Sequence, residues 1–112
     1  MTGEELLRAD RLSPPTVGRQ QPVGVDQILA ERGGRYGPFP GHALVTQRLK
    51  QVIAEELRIR GKVLEPDQQE SLDMICHKIG RIVNGDPNYD DSWVDIAGYA
   101  ELVVKRLRGH PV

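Results

Sequence analysis

His77–Val103 reads HKIGRIVNGDPNYDDSWVDIAGYAELV, and its spacing decides the fold. Apolar residues recur every three or four positions on both sides of Asn84-Gly85-Asp86-Pro87. That is the pattern of two amphipathic helices joined by a turn. Gly suits a left-handed C-cap, and Pro cannot continue a helix. His77, Lys78, Arg81, Asp86, Asp90, Asp91 and Asp95 surround the turn, so the same stretch also raises the functional question.

Working upstream, Pro66 opens the first of these helices, and Asp67, Glu70 and Asp73 favour its positive N-terminal end. Leu72, Ile75, Cys76, Ile79, Ile82 and Val83 form its expected core stripe. The second helix begins at Asp91 or Ser92. Ser92 and Asp95 have capping-box spacing, and Trp93, Ile96, Ala97, Ala100, Val104 and Leu107 form the expected buried stripe. Val94, Gly98 and Leu102 make a further small apolar stripe. A helix of a monomer needs one stripe, so the extra one calls for the N-terminal segment or a second subunit.

An earlier helix is expected over Ala43–Arg60, with Val45, Leu49, Val52, Ile53 and Ile59 on one face, Glu56 near the middle of that face, and Gly61 as the stop. GRYGPFPGH, Gly34–His42, holds Gly and Pro at several positions and reads as a loop. A short helix starts at Val25, with Asp26 as a possible N-cap and Gly33-Gly34 as its end. Leu12–Gly24 is rich in Pro, Gly and polar residues and reads as a linker after a short helix over Glu4–Leu12. Residues 1–24 are thus an N-terminal arm and 25–112 one domain. No run alternates with period two. The expected fold is all-α: a bundle of three main helices plus a short N-terminal helix.

Composition narrows the function classes. The 112 residues suffice for one core. Fifteen basic and 16 acidic residues give a net charge of -1, which provides no field for a nucleic-acid backbone or an anionic membrane. Five aromatic residues give little base-stacking surface. The single Cys76 excludes an internal disulfide and reads as a reduced core thiol. No run approaches the ~18–20 apolar residues of a membrane span, and MTGEELLRAD lacks the apolar run of a signal peptide. A cytoplasmic protein is expected.

The polar corner supports two chemistries. Antiparallel return of the last helix brings Lys78 and Arg81 near Asp91 and Asp95. These groups could pair as ions, Arg81 with Asp91 or Asp95. They could instead hold a phosphate on the basic side and Mg²⁺ on the acidic side, since Mg²⁺ binds one or two carboxylates plus substrate phosphates. Glu70 and Asp73 are a second carboxylate pair at i, i+3.

RYG at 35–37, K-x-x-R-I at 78–82 and D-S-x-x-D-I-A-G-Y-A at 91–100 resemble small phage and prophage proteins carrying a nucleotide-modification-associated domain. That family looks related to all-α NTP pyrophosphohydrolases of the MazG type. The resemblance spans roughly Arg35 to Leu107. It implies an oligomerising helical bundle with Mg²⁺-dependent handling of a nucleotide, in the cytoplasm of the host cell if phage-encoded. By position it singles out Tyr36, Gly37, Lys78, Arg81 and Tyr99 for the nucleotide. Asp91 and Asp95 would serve catalysis and metal, joined by Glu70 and Asp73 as metal ligands. The chain departs from the pyrophosphohydrolase pattern E-E-x-x-E, because Glu55-Glu56 is followed by Ile59. Two readings therefore stand: a nucleotide-handling protein, either a pyrophosphohydrolase or a degenerate binding relative, and a non-enzymatic oligomeric assembly module with a structural ion-pair corner.

Overall fold

The computed structural model describes residues 24–112 and shows an all-α chain: α1 (Val25–Tyr36), α2 (Phe39–Ile59), α3 (Pro66–Asn84) and α4 (Asp91–Leu107), with no strand among the described residues. The short helix expected over Glu4–Leu12 lies outside the described residues. α3 is the centre. It packs against α2 on one side and α4 on the other, while α2 and α4 do not touch. α1 lies across the end where α2 begins and α3 finishes.

Each helix starts and stops for a local reason. At the start of α3, the Gln68 side chain accepts the Glu65 backbone N–H at 2.9 Å, and the Glu65 carboxylate caps the Gln68 amide in return. At the turn before α4, the Asp86 carboxylate accepts the Asn88 N–H at 2.9 Å, and the Trp93 indole N–H donates to the Pro87 carbonyl at 2.9 Å. The expected Ser92–Asp95 capping box does not form. Asp90 is the N-cap, and Ser92 is buried.

The expected loop over Gly34–His42 is only Gly37-Pro38. α1 runs through Gly33-Gly34 to Tyr36 because the end of α3 and the turn after it hold its last turn. The Asp86 N–H donates to the Arg35 carbonyl at 2.7 Å. The Asn84 side-chain amide donates to the carbonyls of Tyr36 at 2.9 Å and Pro38 at 2.8 Å. Gly37, at φ 78, is the true stop. α2 then begins at Phe39, with Pro40 in its first turn.

The helix contacts coincide with the apolar stripes only in part. α2 meets α3 through His42, Thr46 and Gly80, all buried. A Cβ on Gly80 would overlap the Thr46 hydroxyl and the His42 ring. α4 meets α3 through Ser92 and through two ion pairs, Lys78–Asp95 at 2.9 Å and Arg106–Asp67 at 2.6 Å. The Arg106 hydrogen bonds hold the Asp67 carboxyl below its usual range. Among the described residues the only hydrophobic side chain that is buried is Cys76, 3% exposed, and burial pushes its thiol pKa up. Val52, Ile59, Val83, Trp93 and Leu107, all expected inside, are between 53% and 64% exposed. The reason is that α2 and α4 flank α3 as a single layer, so side chains perpendicular to that layer find no helix above them.

Candidate functional site

The layer's other face carries a cleft of about 450 Å³ between α1 and the α2–α3 pair. Leu29, Arg32, Tyr36, Phe39, His77 and Arg81 line it, with the backbone of Gly33 and Gly37 at its edge. The sequence builds it in three steps. Gly37 turns the chain sharply, Asn84 ties that turn to α3, and Gly85 admits the end of α1, since a Cβ there would overlap Arg35 and Tyr36.

Arg81 is the cleft's central cation. Its guanidinium carbon lies 4.2 Å from the Tyr36 ring centroid, a cation–π stack, and Arg32 approaches the same ring at 5.8 Å. Burial lowers the Arg81 pKa from its ordinary value; Tyr36, Asp91 and Asp95 oppose the effect and Arg32 adds to it. Arg81 makes no salt bridge among the described residues. The Tyr36 hydroxyl donates to Asp91 at 3.5 Å, the long end of a hydrogen bond. Tyr89 backs Tyr36 at a centroid distance of 6.1 Å and accepts from Arg35 at 2.7 Å.

Two histidines form the floor. Their rings meet edge to face at 4.5 Å. His42 Nε2 lies 2.9 Å from the His77 carbonyl, and a carbonyl only accepts, so Nε2 carries the proton. Burial lowers the His42 pKa. Burial also drives the His77 imidazole down to about 3, with His42, Arg81, Lys78 and Lys50 adding to the effect. Both rings are neutral at pH 7.

The expected corner divides in two. Tyr36, Gly37 and Arg81 come together in the cleft, with Asp91 at its rim. Lys78 does not join them. It turns to the other flank of α3, where Asp95 takes it, so Lys78, rather than Arg81, is the partner of Asp95. Tyr99 lies beside Asp95 on α4, in a shallow depression with Val94, Gly98 and Leu102. Asp73 accepts from the Gln69 side chain at 3.0 Å, and Glu70 is exposed nearby. No group of three or more His, Cys, Asp or Glu side chains converges as a metal site among the described residues. Asp91 and Asp95 share a helix, but Asp95 is committed to Lys78, so the donor set does not fit a resident magnesium ion.

Sequence reasoning passed over Arg32, Phe39 and His42. Phe39 and His42 lay in the stretch read as loop. Arg32 carries its signal only in retrospect: it is one helical turn before Tyr36, where i, i+4 residues share a face.

No helix among the described residues is long and apolar enough to cross a membrane. No family model, no curated protein and no solved structure matches the chain.

Proposed function

We propose that this chain binds a nucleoside phosphate in the α1–α3 cleft. Arg81 and Arg32 would take the phosphate, and Tyr36 and Phe39 would present aromatic surface to the base. The observation that carries this reading is Arg81: a half-buried guanidinium, stacked on an aromatic ring and facing an open cleft, with no carboxylate within salt-bridge distance among the described residues. A half-buried cation without a salt-bridge partner favours an anionic ligand. The resemblance in the RYG and K-x-x-R-I segments supports the same class, because Tyr36, Gly37 and Arg81 are the members that meet.

Magnesium on this reading arrives with the nucleotide. A phosphate-borne ion needs few protein oxygens, and Asp91 at the rim is placed to supply one. Hydrolysis would be an addition to binding, carried by that ion and an incoming water. The rival reading, an assembly module with an ion-pair corner, is favoured by one observation, the Lys78–Asp95 pair. That pair accounts for its own half of the corner and leaves Arg81 unexplained.

Thermal unfolding across nucleoside mono-, di- and triphosphates, with and without Mg²⁺, tests the proposal. A ligand at about 100 times its dissociation constant adds ~2.7 kcal/mol, and each kcal/mol moves the melting temperature of a small domain by roughly 4–8 °C. The expected result is a shift that Arg81→Gln abolishes and Lys78→Met leaves in place. No shift with any nucleotide, or a shift that survives Arg81→Gln, overturns it. Product analysis on the binding nucleotide then separates turnover from binding alone.

A further inference from the structure

A second hollow, of about 310 Å³, opens on the α2–α3 seam beside the cleft. Phe39, His42 and His77 border both, so the histidine floor runs from one into the other and the exposed Phe39 ring stands at the boundary. Thr46 and Lys50 of α2 line the far part of the second hollow. Lys50 makes no salt bridge among the described residues. No acidic residue lies within one turn of it on α2, and Asp73, across on α3, accepts from the Gln69 side chain instead. Thr46 is 4% exposed, and its hydroxyl has no hydrogen-bond partner among the described residues, whereas buried hydroxyls are ordinarily paired. The close approaches of Gly41 to Asn84 and of Gly80 to Thr46 fix the register of these antiparallel helices. That register puts Lys50 level with Cys76, so Arg81 stands about 8 Å farther along the axis.

We propose that the ligand is a nucleoside phosphorylated at both ends: one phosphate between Arg81 and Arg32, the nucleoside across the histidine floor against Phe39, and the second phosphate on Lys50. This rests on the nucleoside-phosphate reading of the cleft and names its substrate class. The argument is the order of groups along the groove: guanidinium, neutral aromatic surface, ammonium. Each phosphate meets a cation, and a lysine ammonium serves phosphate as a point charge. The uncharged sugar and base meet neutral imidazoles, each of which offers one N–H donor and one acceptor, and an aromatic ring on which a base can stack. The axial distance between the two cations is on the scale of one sugar with a phosphate on either side. A nucleoside triphosphate carries all its charge at one end. It satisfies Arg81 and Arg32 and leaves Lys50 without an anion.

Titration calorimetry of the full chain with the 5′-monophosphates, 3′,5′-bisphosphates and 5′-triphosphates of the four common nucleosides tests this. The expected result is a bisphosphate that binds about tenfold more tightly than the monophosphate of the same nucleoside. Lys50→Met is expected to remove that gain. It should change monophosphate affinity by less than about twofold, since salt screens a charge at that distance. Lys50→Arg is expected to keep most of the gain, and Arg81→Gln to weaken both ligands. If Lys50→Met loses its helical circular dichroism, Lys50→Gln carries the same comparison. Three results overturn the proposal. One is a bisphosphate that binds no more tightly than the monophosphate. Another is a gain that survives Lys50→Met or Lys50→Gln. The third is a triphosphate whose affinity falls as far as the bisphosphate's on losing Lys50, which would make Lys50 a general attractor of charge. In each of these cases monophosphate binding that depends on Arg81 leaves the cleft reading standing, whereas binding of no nucleotide at all overturns both.

Discussion

The Lys78 ammonium lies 2.9 Å from the Asp95 carboxylate, with the Lys78 side chain only 10% exposed. One long cation is thereby taken out of water and matched at the α3–α4 seam. Removing one member leaves the other without its partner, which costs more than the pair itself is worth. Asp95→Asn is expected to lower stability by about 2 kcal/mol, below the range for fully buried pairs because Asp95 is partly exposed. Lys78→Met/Asp95→Leu is expected to recover most of that. Urea unfolding of the single and double variants beside wild type measures both numbers. A double variant as unstable as Asp95→Asn would show that the pair contributes beyond mutual neutralisation.

Two glycines on adjacent helices are expected to respond with opposite sign. Gly80 faces Thr46 and His42 with no room for a methyl group, so Gly80→Ala should cost about 1–3 kcal/mol through overpacking. Gly98 sits mid-α4, and a methyl group added there would have nothing within 4 Å. Gly98→Ala is expected to stabilise by about 0.5–1 kcal/mol through helix propensity. Denaturation midpoints of the two variants decide it.

The histidine floor sets a pH dependence. Folded His77 titrates near 3, against 6.5 for an ordinary imidazole. Between those values the unfolded chain binds a proton that the folded chain refuses, so stability falls as pH falls through that window. His42, also lowered, acts in the same direction. Above pH 7 neither contributes a slope. Each pH unit crossed below the ordinary value is worth at most ~1.36 kcal/mol. Partial solvent access reduces this, leaving about 1 kcal/mol lost between pH 7 and pH 5. Unfolding free energies at the two pH values, in wild type and in His77→Gln, read the difference. An equal loss in both proteins would remove His77 as its source.

Asn84 is expected to govern α1 alone. Its amide makes both side-chain bonds that tie the α1–α2 turn to α3, each worth about 1 kcal/mol net. Asn84→Ala should speed amide exchange across α1 by roughly tenfold or more, while α3 and α4 keep their protection. Uniform loss of protection would mean that the turn supports the whole layer.

The order of helices, their all-α character and the bounds of α3 and α4 were legible because Pro, Gly and apolar periodicity act locally. Pro66, Asn84-Gly85 and Asp91 are read correctly from their neighbours alone. The extent of α1 and the start of α2 were not legible, because Gly33-Gly34 weaken a helix that Asn84 and Asp86 rescue from far along the chain. The inward faces were legible only in part, for a related reason. Periodicity identifies apolar stripes, but close helix approach here is made by Gly80, Thr46, Ser71 and Ser92, small residues whose hydropathy carries no such signal. Of the polar corner, Arg81 with Tyr36 could be anticipated from the RYG and K-x-x-R-I segments. The choice of Lys78 over Arg81 as partner of Asp95 could not, since it depends on which flank of α3 each side chain leaves.

The brevity of the Gly37-Pro38 link has a mechanical consequence. With only two residues joining α1 to α2, α1 behaves as a lever whose fulcrum is Gly37. Its 12 residues give an arm of about 18 Å. A swing of about ten degrees at the fulcrum carries the Val25 end about 3 Å on that arm, yet barely displaces Tyr36 beside the pivot. One wall of the cleft is thus graded along its length: Tyr36 stays in register with Arg81, while Arg32 and Leu29, progressively farther out, set the width of the mouth.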